Sequence, residues 1–303
     1  IIIITSIRLK LILVLISSLF WLLEAFLGFL RLFFTFGLVT KIDLASLTMV
    51  EDNTDTVKYT YDGDGKITVS SANTSIATVS VDTTTKIITI KGISSGTTKI
   101  TLTAATGTNY NSATATMTLI VTGAHYKVGN RFYTTLAAAY DAITGPEGTI
   151  IVNKDNTDSS NFTVASGKKI TLDLNGKKII KTTKELTNNG ELIINNSGTI
   201  EADYLTILIR NNSTLTINDG TFINNGREDI EEYWFVIYQN DHSEAITNIN
   251  GGKIQSTRET SSAADYSGVT LGIHSGILNM NDGEIYNKST GITTHTNVGG
   301  EIN

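Results

Sequence analysis

The sequence predicts an all-β protein whose second half is a coil of stacked strands. The 303 residues are rich in Thr, Asn, Ser, Ile and Gly, which favour strands and tight turns. Short stretches of alternating apolar and polar residues are separated by turn residues about every ten positions. A third observation is a motif that returns as "TINDGTFINN" at 216–225, "NINGGKIQST" at 248–257 and "NMNDGEIYNK" at 279–288.

Composition excludes several functions. The net charge is −6 and only 17% of residues are charged, so the chain lacks the basic surface that a nucleic-acid partner requires. Because there is no Cys, disulfides and thiolate metal sites are excluded. No metal site and no cofactor are predicted.

Residues 1–42 form an apolar segment unlike the rest of the chain. An uncharged run at 11–23 follows Arg8 and Lys10, as in a signal peptide. Three interpretations remain open: an export signal or membrane anchor, a segment translated from the wrong reading frame, or a core helix. Contact with a membrane is predicted only through residues 11–39.

Both ends of the sequence suggest a fragment. The first residue is Ile rather than Met, and the final "GGEIN" resembles the start of another repeat. We therefore expect a C-terminally truncated repeat region, with any further module lying beyond residue 303.

Residues 46–122 predict a small β-sandwich. "TVKYTYDGDGKITVSS" reads as two strands around a Gly-rich turn, and similar strands follow up to Thr122. Asp62 and Asp64 lie in that turn, where Asp and Gly are the expected turn formers rather than calcium ligands.

The same region resembles the bacterial immunoglobulin-like domain of group 2. The likeness lies in "SSANTSIATVSVD" and "ITIKGISSGTTKITLTAATGTNYNSATATMTLIV". It implies a spacer or adhesive module of a bacterial surface protein, with no catalytic residue to transfer.

Residues 125–303 predict a solenoid with an N-terminal capping helix at 134–144. Thr134 or Thr135 can cap the helix, and Gly145 with Pro146 ends it. Such a cap covers the first rung, which would otherwise present an open sheet edge.

The repeats then follow a regular spacing. A Gly recurs at Gly176, Gly198, Gly220, Gly252 and Gly283, in steps of 22, 22, 32 and 31 residues. A period near 22 fits one turn of a three-sided coil, and the longer steps contain an insertion. One rung cannot bury its apolar side alone, so neighbouring rungs must complete the core. Asn side chains at equivalent corners are expected to bond along the stack.

This region resembles the right-handed parallel β-helix of pectate-lyase-like surface proteins. The likeness lies in "GKKITLDLNGKKI", "NNGELIINNSGTI" and "NNSTLTINDGTF". It implies a shape rather than an activity, because this fold includes both polysaccharide-cleaving enzymes and adhesive stalks.

An enzyme on such a fold needs a pair of carboxylates, or a carboxylate with a metal, to catalyse its reaction. In "NDG" corners the expected role of Asp is turn formation, and no catalytic residue is predicted. The residues of a type that could act in catalysis are Asp173, Asp219, Asp282, Glu284, the loop residues Asp241, His242 and Glu244, and the isolated His274 and His295.

The two insertions predict a ligand-binding surface. They are "GREDIEEYWFVIYQ" at 226–239 and "RETSSAADYSG" at 258–268, each starting six residues after a repeat Gly. Equal offsets in a stacked coil place both loops on one side, and aromatic rings beside polar groups can bind sugars. The predicted binding residues are Arg227, Glu228, Asp229, Glu231, Glu232, Tyr233, Trp234, Tyr238, Arg258, Glu259 and Tyr266.

Together these features predict an extracellular or cell-surface bacterial protein. The favoured hypothesis is a non-enzymatic stalk or adhesin that contacts glycans or host and cell-surface molecules. The alternatives are a fragment of a carbohydrate-active enzyme, a lyase or hydrolase, and a purely structural piece whose ligand-binding module lies elsewhere.

Overall fold

The computed structural model forms two compact units. One contains residues 1–47, 54–91 and 97–120, and the other contains 48–53, 92–96 and 121–303. The predicted all-β fold with a parallel stacked-strand solenoid is confirmed. The residues that the structure describes are 19, 21–24, 42–203, 205–224, 226, 234–239, 244–256, 269–287 and 301–302.

Little of the apolar segment 1–42 belongs to the described residues. Residues 21–24 are helical, and Trp21 and Leu22 are exposed. In the parts of the chain that the structure describes, no helix combines the length and apolarity that a membrane crossing requires. The three interpretations of this segment stay predictions.

The first nine strands build two main sheets and a short strand pair. The strands are β1 Ile42–Asp43, β2 Leu47–Val50, β3 Thr54–Lys58, β4 Thr60–Tyr61, β5 Ile67–Ser71, β6 Ala77–Asp82, β7 Ile87–Gly92, β8 Gly96–Ala104 and β9 Ala113–Thr122. The four-stranded sheet has the order β2-β9-β8-β5, the three-stranded sheet has the order β3-β7-β6, and β1 pairs with β4. In β7 and β8 alternate residues such as Ile88, Ile90, Ile100 and Leu102 are fully buried, so each sheet hides one face.

A hairpin and a short helix cover the first rung of the solenoid. Strands β10 (Tyr126–Val128) and β11 (Arg131–Tyr133) pair antiparallel, and β10 also pairs antiparallel with the first rung. Helix α1 spans Leu136–Asp141, shorter than the predicted range, and the Thr135 hydroxyl caps it by accepting the Ala138 N–H at 3.2 Å. Leu136 is fully buried in the solenoid core.

The solenoid itself consists of three parallel sheets, each receiving one strand per rung. The first sheet contains β12 Glu147–Val152, β15 Lys169–Asp173, β18 Glu191–Asn195, β21 Thr214–Ile217, β24 Ile246–Ile249, β27 Ile277–Met280 and β29 Glu301–Ile302. The second contains β13 Asn156–Asp158, β16 Lys178–Lys181, β19 Thr199–Ala202, β22 Thr221–Asn224, β25 Lys253–Ser256 and β28 Glu284–Asn287. The third contains β14 Phe162–Val164, β17 Leu186–Asn188, β20 Ile207–Asn211, β23 Phe235–Gln239 and β26 Val269–Ile273.

Equivalent residues of successive rungs lie directly above one another. On the first sheet Leu172, Ile194, Ile217 and Ile249 are successive partners. All four are fully buried, so the alternation in the sequence produces one continuous apolar core.

The repeat Gly residues form a column at the corner between the first and second sheets. Gly252 has φ +84°, and a Cβ there would lie 2.5 Å from the carbonyl oxygen of Gly220. The next rung repeats the arrangement, since a Cβ on Gly283 would lie 2.9 Å from the carbonyl oxygen of Gly252. The motif therefore contains Gly for two reasons: a left-handed backbone and close contact between rungs.

Substitution Gly252→Ala is expected to lower the free energy of unfolding by about 2 kcal/mol or more, because Ala is strained at this φ and collides with the rung below. Chemical denaturation measures the change. Gly145→Ala is the control, since its Cβ would approach only the Glu147 carbonyl oxygen, at 3.7 Å. Equal destabilisation of both variants would contradict the requirement for Gly at the corner between the first and second sheets.

Amide side chains lie inside the solenoid at the corner between the third and first sheets. Asn188, Asn211 and Gln239 are fully buried. Asn188 Nδ2 donates to Asn211 Oδ1 at 2.8 Å, and Asn211 Nδ2 donates to Gln239 Oε1 at 3.2 Å. Each amide also bonds to backbone of the turn beside it, such as the Thr214, Ile246 and Ser275 carbonyls. These bonds satisfy polar groups where the chain turns within the core.

A buried ion pair joins the cap to the first two rungs. Lys181 Nζ donates to Asp158 Oδ1 at 2.9 Å, and the two side chains are 0% and 1% exposed. Asp158 Oδ2 accepts the Leu136 N–H at 2.7 Å, and Asp158 Oδ1 accepts both the N–H and the hydroxyl of Ser160. The sequence alone did not predict this pair.

Candidate functional site

The corner between the second and third sheets carries two long connections of the solenoid. In the early rungs residues 182–185 and 203–206 make the link, whereas in the later rungs 225–234 and 257–268 make it. The strands that flank the two long segments pair in register, with Phe222 opposite Ile254 and Phe235 opposite Val269. Both insertions therefore begin and end on neighbouring rungs at the same corner. The first is shorter than the predicted 226–239, because residues 235–239 form strand β23.

Two of the predicted binding residues, Trp234 and Tyr238, are among the described residues. Trp234 is only 3% exposed, and its ring packs so closely on Gly226 that a Cβ there would lie 2.1 Å from it. Its ring is therefore buried against Gly226, and its part in ligand binding stays a prediction. The others, Arg227, Glu228, Asp229, Glu231, Glu232, Tyr233, Arg258, Glu259 and Tyr266, lie outside the described residues.

Tyr238 lies on the outer face of the third sheet in a group of interacting side chains, which we call the Tyr238 patch: Glu185, Arg210, Phe235, Tyr238 and His274. The Arg210 guanidinium carbon lies 5.3 Å from the centre of the half-buried Tyr238 ring. Phe235 and His274 contact the same ring at centroid distances of 4.7 and 5.1 Å. Glu185 binds Arg210 through both carboxylate oxygens, one of them at 3.3 Å from Nη2.

The register between rungs explains how the patch assembles. Thr187, Arg210, Tyr238 and Gly272 are successive partners on β17, β20, β23 and β26. Gly272 leaves room for the rings, because a Cβ there would lie 2.5 Å from Cε1 of Phe235. The sequence could have revealed Arg210 as a neighbour of Tyr238 only if this register had been known.

A cavity of about 350 Å³ lies at the same corner in the earlier rungs. Its lining combines hydroxyl and amide groups with one ammonium, one carboxylate and two apolar side chains. The lining residues are Asn161, Thr183, Lys184, Glu185, Thr187, Leu205, Thr206 and Ile207. Glu185 and Thr187 connect this cavity with the Tyr238 patch, since Glu185 binds Arg210 and Thr187 is the strand partner of Arg210. Such a mixture of apolar and hydrogen-bonding groups suits a sugar ring.

The Asp residues considered for catalysis form hydrogen bonds of the solenoid's turns. Asp219 and Asp282 each accept the N–H of the following Gly at 2.7 Å, as their turn role predicts. Asp173 accepts the Asn175 N–H and the Asn196 amide, both at 2.8 Å. These carboxylates therefore have structural roles at the corners.

The remaining candidates have different positions. Glu284 forms an ion pair with Lys253 at 3.2 Å, Glu244 is exposed, and His274 belongs to the Tyr238 patch. Asp241, His242 and His295 lie outside the described residues. Within the described ranges no cluster of three or more His, Asp or Glu residues could hold a metal ion.

In the first unit Asp64 also has a structural role. Its Oδ2 accepts the backbone N–H groups of Thr108 and Asn109, both at 3.1 Å, and so ties two loops together.

Comparison with known proteins gives distant similarities only. No protein-family model matches the chain, and no curated protein matches it. Domains 4 and 5 of the S-layer protein SbsC match at 25% identity with a TM-score of 0.23, covering 27% of this chain and 50% of that one. Domains 1–6 of the surface layer protein SbsC match at 22% identity with a TM-score of 0.24, covering 33% and 16%. The chain thus spans half or less of these structures, and such TM-scores establish neither a common fold nor a common function.

Proposed function

We propose that this chain is part of an extracellular bacterial surface protein, a non-enzymatic stalk that binds glycans at the corner between its second and third sheets. The observation that carries the proposal is the cavity of about 350 Å³ beside the Tyr238 patch. Its Thr hydroxyls and Asn161 amide suit sugar hydroxyls, and Leu205 and Ile207 suit the apolar face of a sugar ring.

The scaffold supports this role. Side chains on a stack of paired strands are held in fixed positions, and binding residues at a corner of such a stack need little ordering when a ligand arrives. The pairing Arg210–Glu185 and the ring contacts of Tyr238 restrict the side chains beside the cavity. A stalk function also agrees with the repetition of the rungs, because each added rung lengthens the solenoid and repeats the same strand pairing.

The domain identities belong to the same proposal. On the motifs quoted above, the first unit is an immunoglobulin-like spacer of group 2 and the solenoid is a right-handed, pectate-lyase-like β-helix.

A glycan array on the full chain tests the proposal. Thr206→Arg places a long side chain into the cavity and is expected to weaken binding by about tenfold or more, because it fills the space a sugar would occupy. Thr157→Arg is the matched control, since Thr157 is an exposed residue of the second sheet in the first rung.

The possible outcomes separate the hypotheses. Binding that both variants retain would place the glycan site elsewhere, and a wild-type chain that binds no glycan would favour a purely structural stalk. Binding lost in both variants would show that the substitutions act through folding rather than through the cavity.

A further inference from the structure

At four places in the chain an Asn is followed directly by a Gly, a pair of residues in which the Asn side chain can react with the backbone. The backbone nitrogen of the Gly can attack the side-chain carbonyl carbon of the Asn, because Gly has no side chain to shield that nitrogen. Asn is among the thermolabile residues of proteins. The four pairs are Asn175–Gly176, Asn189–Gly190, Asn225–Gly226 and Asn250–Gly251.

In three of these pairs the fold occupies the N–H group of the Gly with a hydrogen bond. The acceptors are the Ser197 carbonyl oxygen for Gly176 at 2.5 Å, Asn188 Oδ1 for Gly190 at 3.2 Å and Asn224 Oδ1 for Gly226 at 3.0 Å. The attacking nitrogen must lose its proton, and a hydrogen bond holds that proton in place. The fold therefore protects these three pairs.

The Gly251 N–H is not protected in this way. Within the described ranges of the chain, no acceptor receives a hydrogen bond from this N–H. The Asn250 side chain is exposed and Gly251 is half-buried, so solvent can reach the pair and take up the proton. Of the four pairs, Asn250–Gly251 is thus the one that the folded chain leaves ready to react.

Asn250 belongs to a ladder of Asn side chains at the corner between the first and second sheets. Asn281 Nδ2 donates to Asn250 Oδ1 at 2.7 Å, and Asn250 Nδ2 donates to Asn218 Oδ1 at 2.8 Å. Asn218 Nδ2 donates in turn to Asn195 Oδ1 of the rung below, at 2.7 Å. These bonds confirm the expectation that Asn side chains at equivalent corners bond along the stack.

The ladder contains a matched comparison for Asn250. Asn218 is also exposed, and it accepts one ladder bond and donates another, as Asn250 does. The two positions differ in the next residue, which is Asp219 after Asn218 and Gly251 after Asn250. A difference in reactivity between them therefore reports the effect of the following residue rather than of the ladder.

We propose that Asn250 is a site of spontaneous deamidation in the folded protein. The Gly251 nitrogen forms a bond to Cγ of Asn250, and the bond from Cγ to Nδ2 breaks. Nδ2 leaves as ammonia with the proton that the Gly251 nitrogen has lost, and a cyclic succinimide remains. Water then opens the ring at either of its carbonyl groups and yields Asp or isoaspartate.

Both products change the corner. The new carboxylate cannot donate, so the hydrogen bond to Asn218 Oδ1 is lost and two oxygen atoms face each other. Isoaspartate also lengthens the main chain beside Gly252, where a Cβ would already lie 2.5 Å from the Gly220 carbonyl oxygen. The reaction thus weakens this corner slowly and irreversibly, and it needs no enzyme.

Peptide mapping by mass spectrometry tests the proposal on the full chain, aged in a mildly alkaline buffer. In the folded chain we expect Asn250 to convert at least about tenfold faster than Asn218, and faster than the Asn of each other Asn–Gly pair. A sample aged in urea is the control for the fold. There the four pairs should convert at similar rates, because no hydrogen bond protects any of them.

Asn250→Gln is the control variant, since its longer side chain forms the corresponding ring much more slowly, and circular dichroism checks its folding. Its peptide should stay unchanged over the same period. Conversion of Asn250 no faster than that of Asn218 in the folded chain would overturn the proposal. So would equal rates at all four pairs in the folded chain, or conversion of Asn250 in urea alone. A preference for Asn250 over the other pairs that disappears in urea would support it.

Discussion

Replacing Lys181 by Met is expected to lower the free energy of unfolding by about 3–5 kcal/mol, because it leaves the buried carboxylate of Asp158 without its cation. Both side chains are almost fully buried, so water cannot replace the lost partner. Asp158 also holds the first turn of α1 through the Leu136 N–H. The loss should therefore loosen the cap as well as the first two rungs.

The same strand offers a matched control. Lys178 forms an ion pair with Glu201 on the outer surface, where the side chains are 44% and 29% exposed. Because surface pairs contribute about 0–1 kcal/mol, Lys178→Met should change stability little. Urea denaturation of both variants measures the difference, and equal losses would contradict the special role of the buried pair.

The pH dependence of this difference provides a second readout. Burial alone would raise the pKa of Asp158, but hydrogen bonds from Ser160, Leu136 and Lys181 outweigh it and hold the pKa below its usual value. A carboxyl with a lowered pKa in the folded state stabilises the protein above its unfolded pKa of about 3.9, and this stabilisation is lost as the pH falls through the folded value. The difference in the free energy of unfolding between wild type and Lys181→Met should accordingly be largest at neutral pH. It should become smaller in acid.

Local sequence patterns were sufficient to predict the solenoid of stacked parallel strands. Alternating residues such as Ile170 and Leu172 and the spaced corner Gly residues depend only on near neighbours, and the structure buries and turns them as expected. The polar interior could not be predicted in this way. Asn188 and Asn211 lie inside the solenoid and bond to each other, although they are 23 residues apart along the chain and stand on successive rungs.

The candidate site, too, could be predicted only in part from the sequence. The sequence indicated that aromatic residues cluster near the insertions, but it could not tell which of the rings is buried. Trp234 is buried against Gly226, whereas Tyr238 meets Arg210 through the register of β20 and β23. The lining of the cavity comes from short corner segments without any distinctive motif, so only the fold brings those side chains together.

The interior amides lead to the second large expected effect. Asn211→Ala should lower the free energy of unfolding by about 3 kcal/mol or more, since the loss of one amide leaves several buried groups short of a partner. Asn211 Oδ1 accepts from Asn188 and from the Ser213 N–H, and its Nδ2 donates to Gln239, Thr247 and the Ile246 carbonyl.

Asn212 supplies the control for this substitution. Its side chain donates a single exposed hydrogen bond, to Asn189 at 2.8 Å, so Asn212→Ala should cost about 1 kcal/mol or less. Chemical denaturation followed by circular dichroism compares the two adjacent substitutions directly. Equal losses in Asn211→Ala and Asn212→Ala would contradict this role of the buried amides. The corner between the third and first sheets would then be stabilised by its backbone hydrogen bonds and apolar neighbours alone.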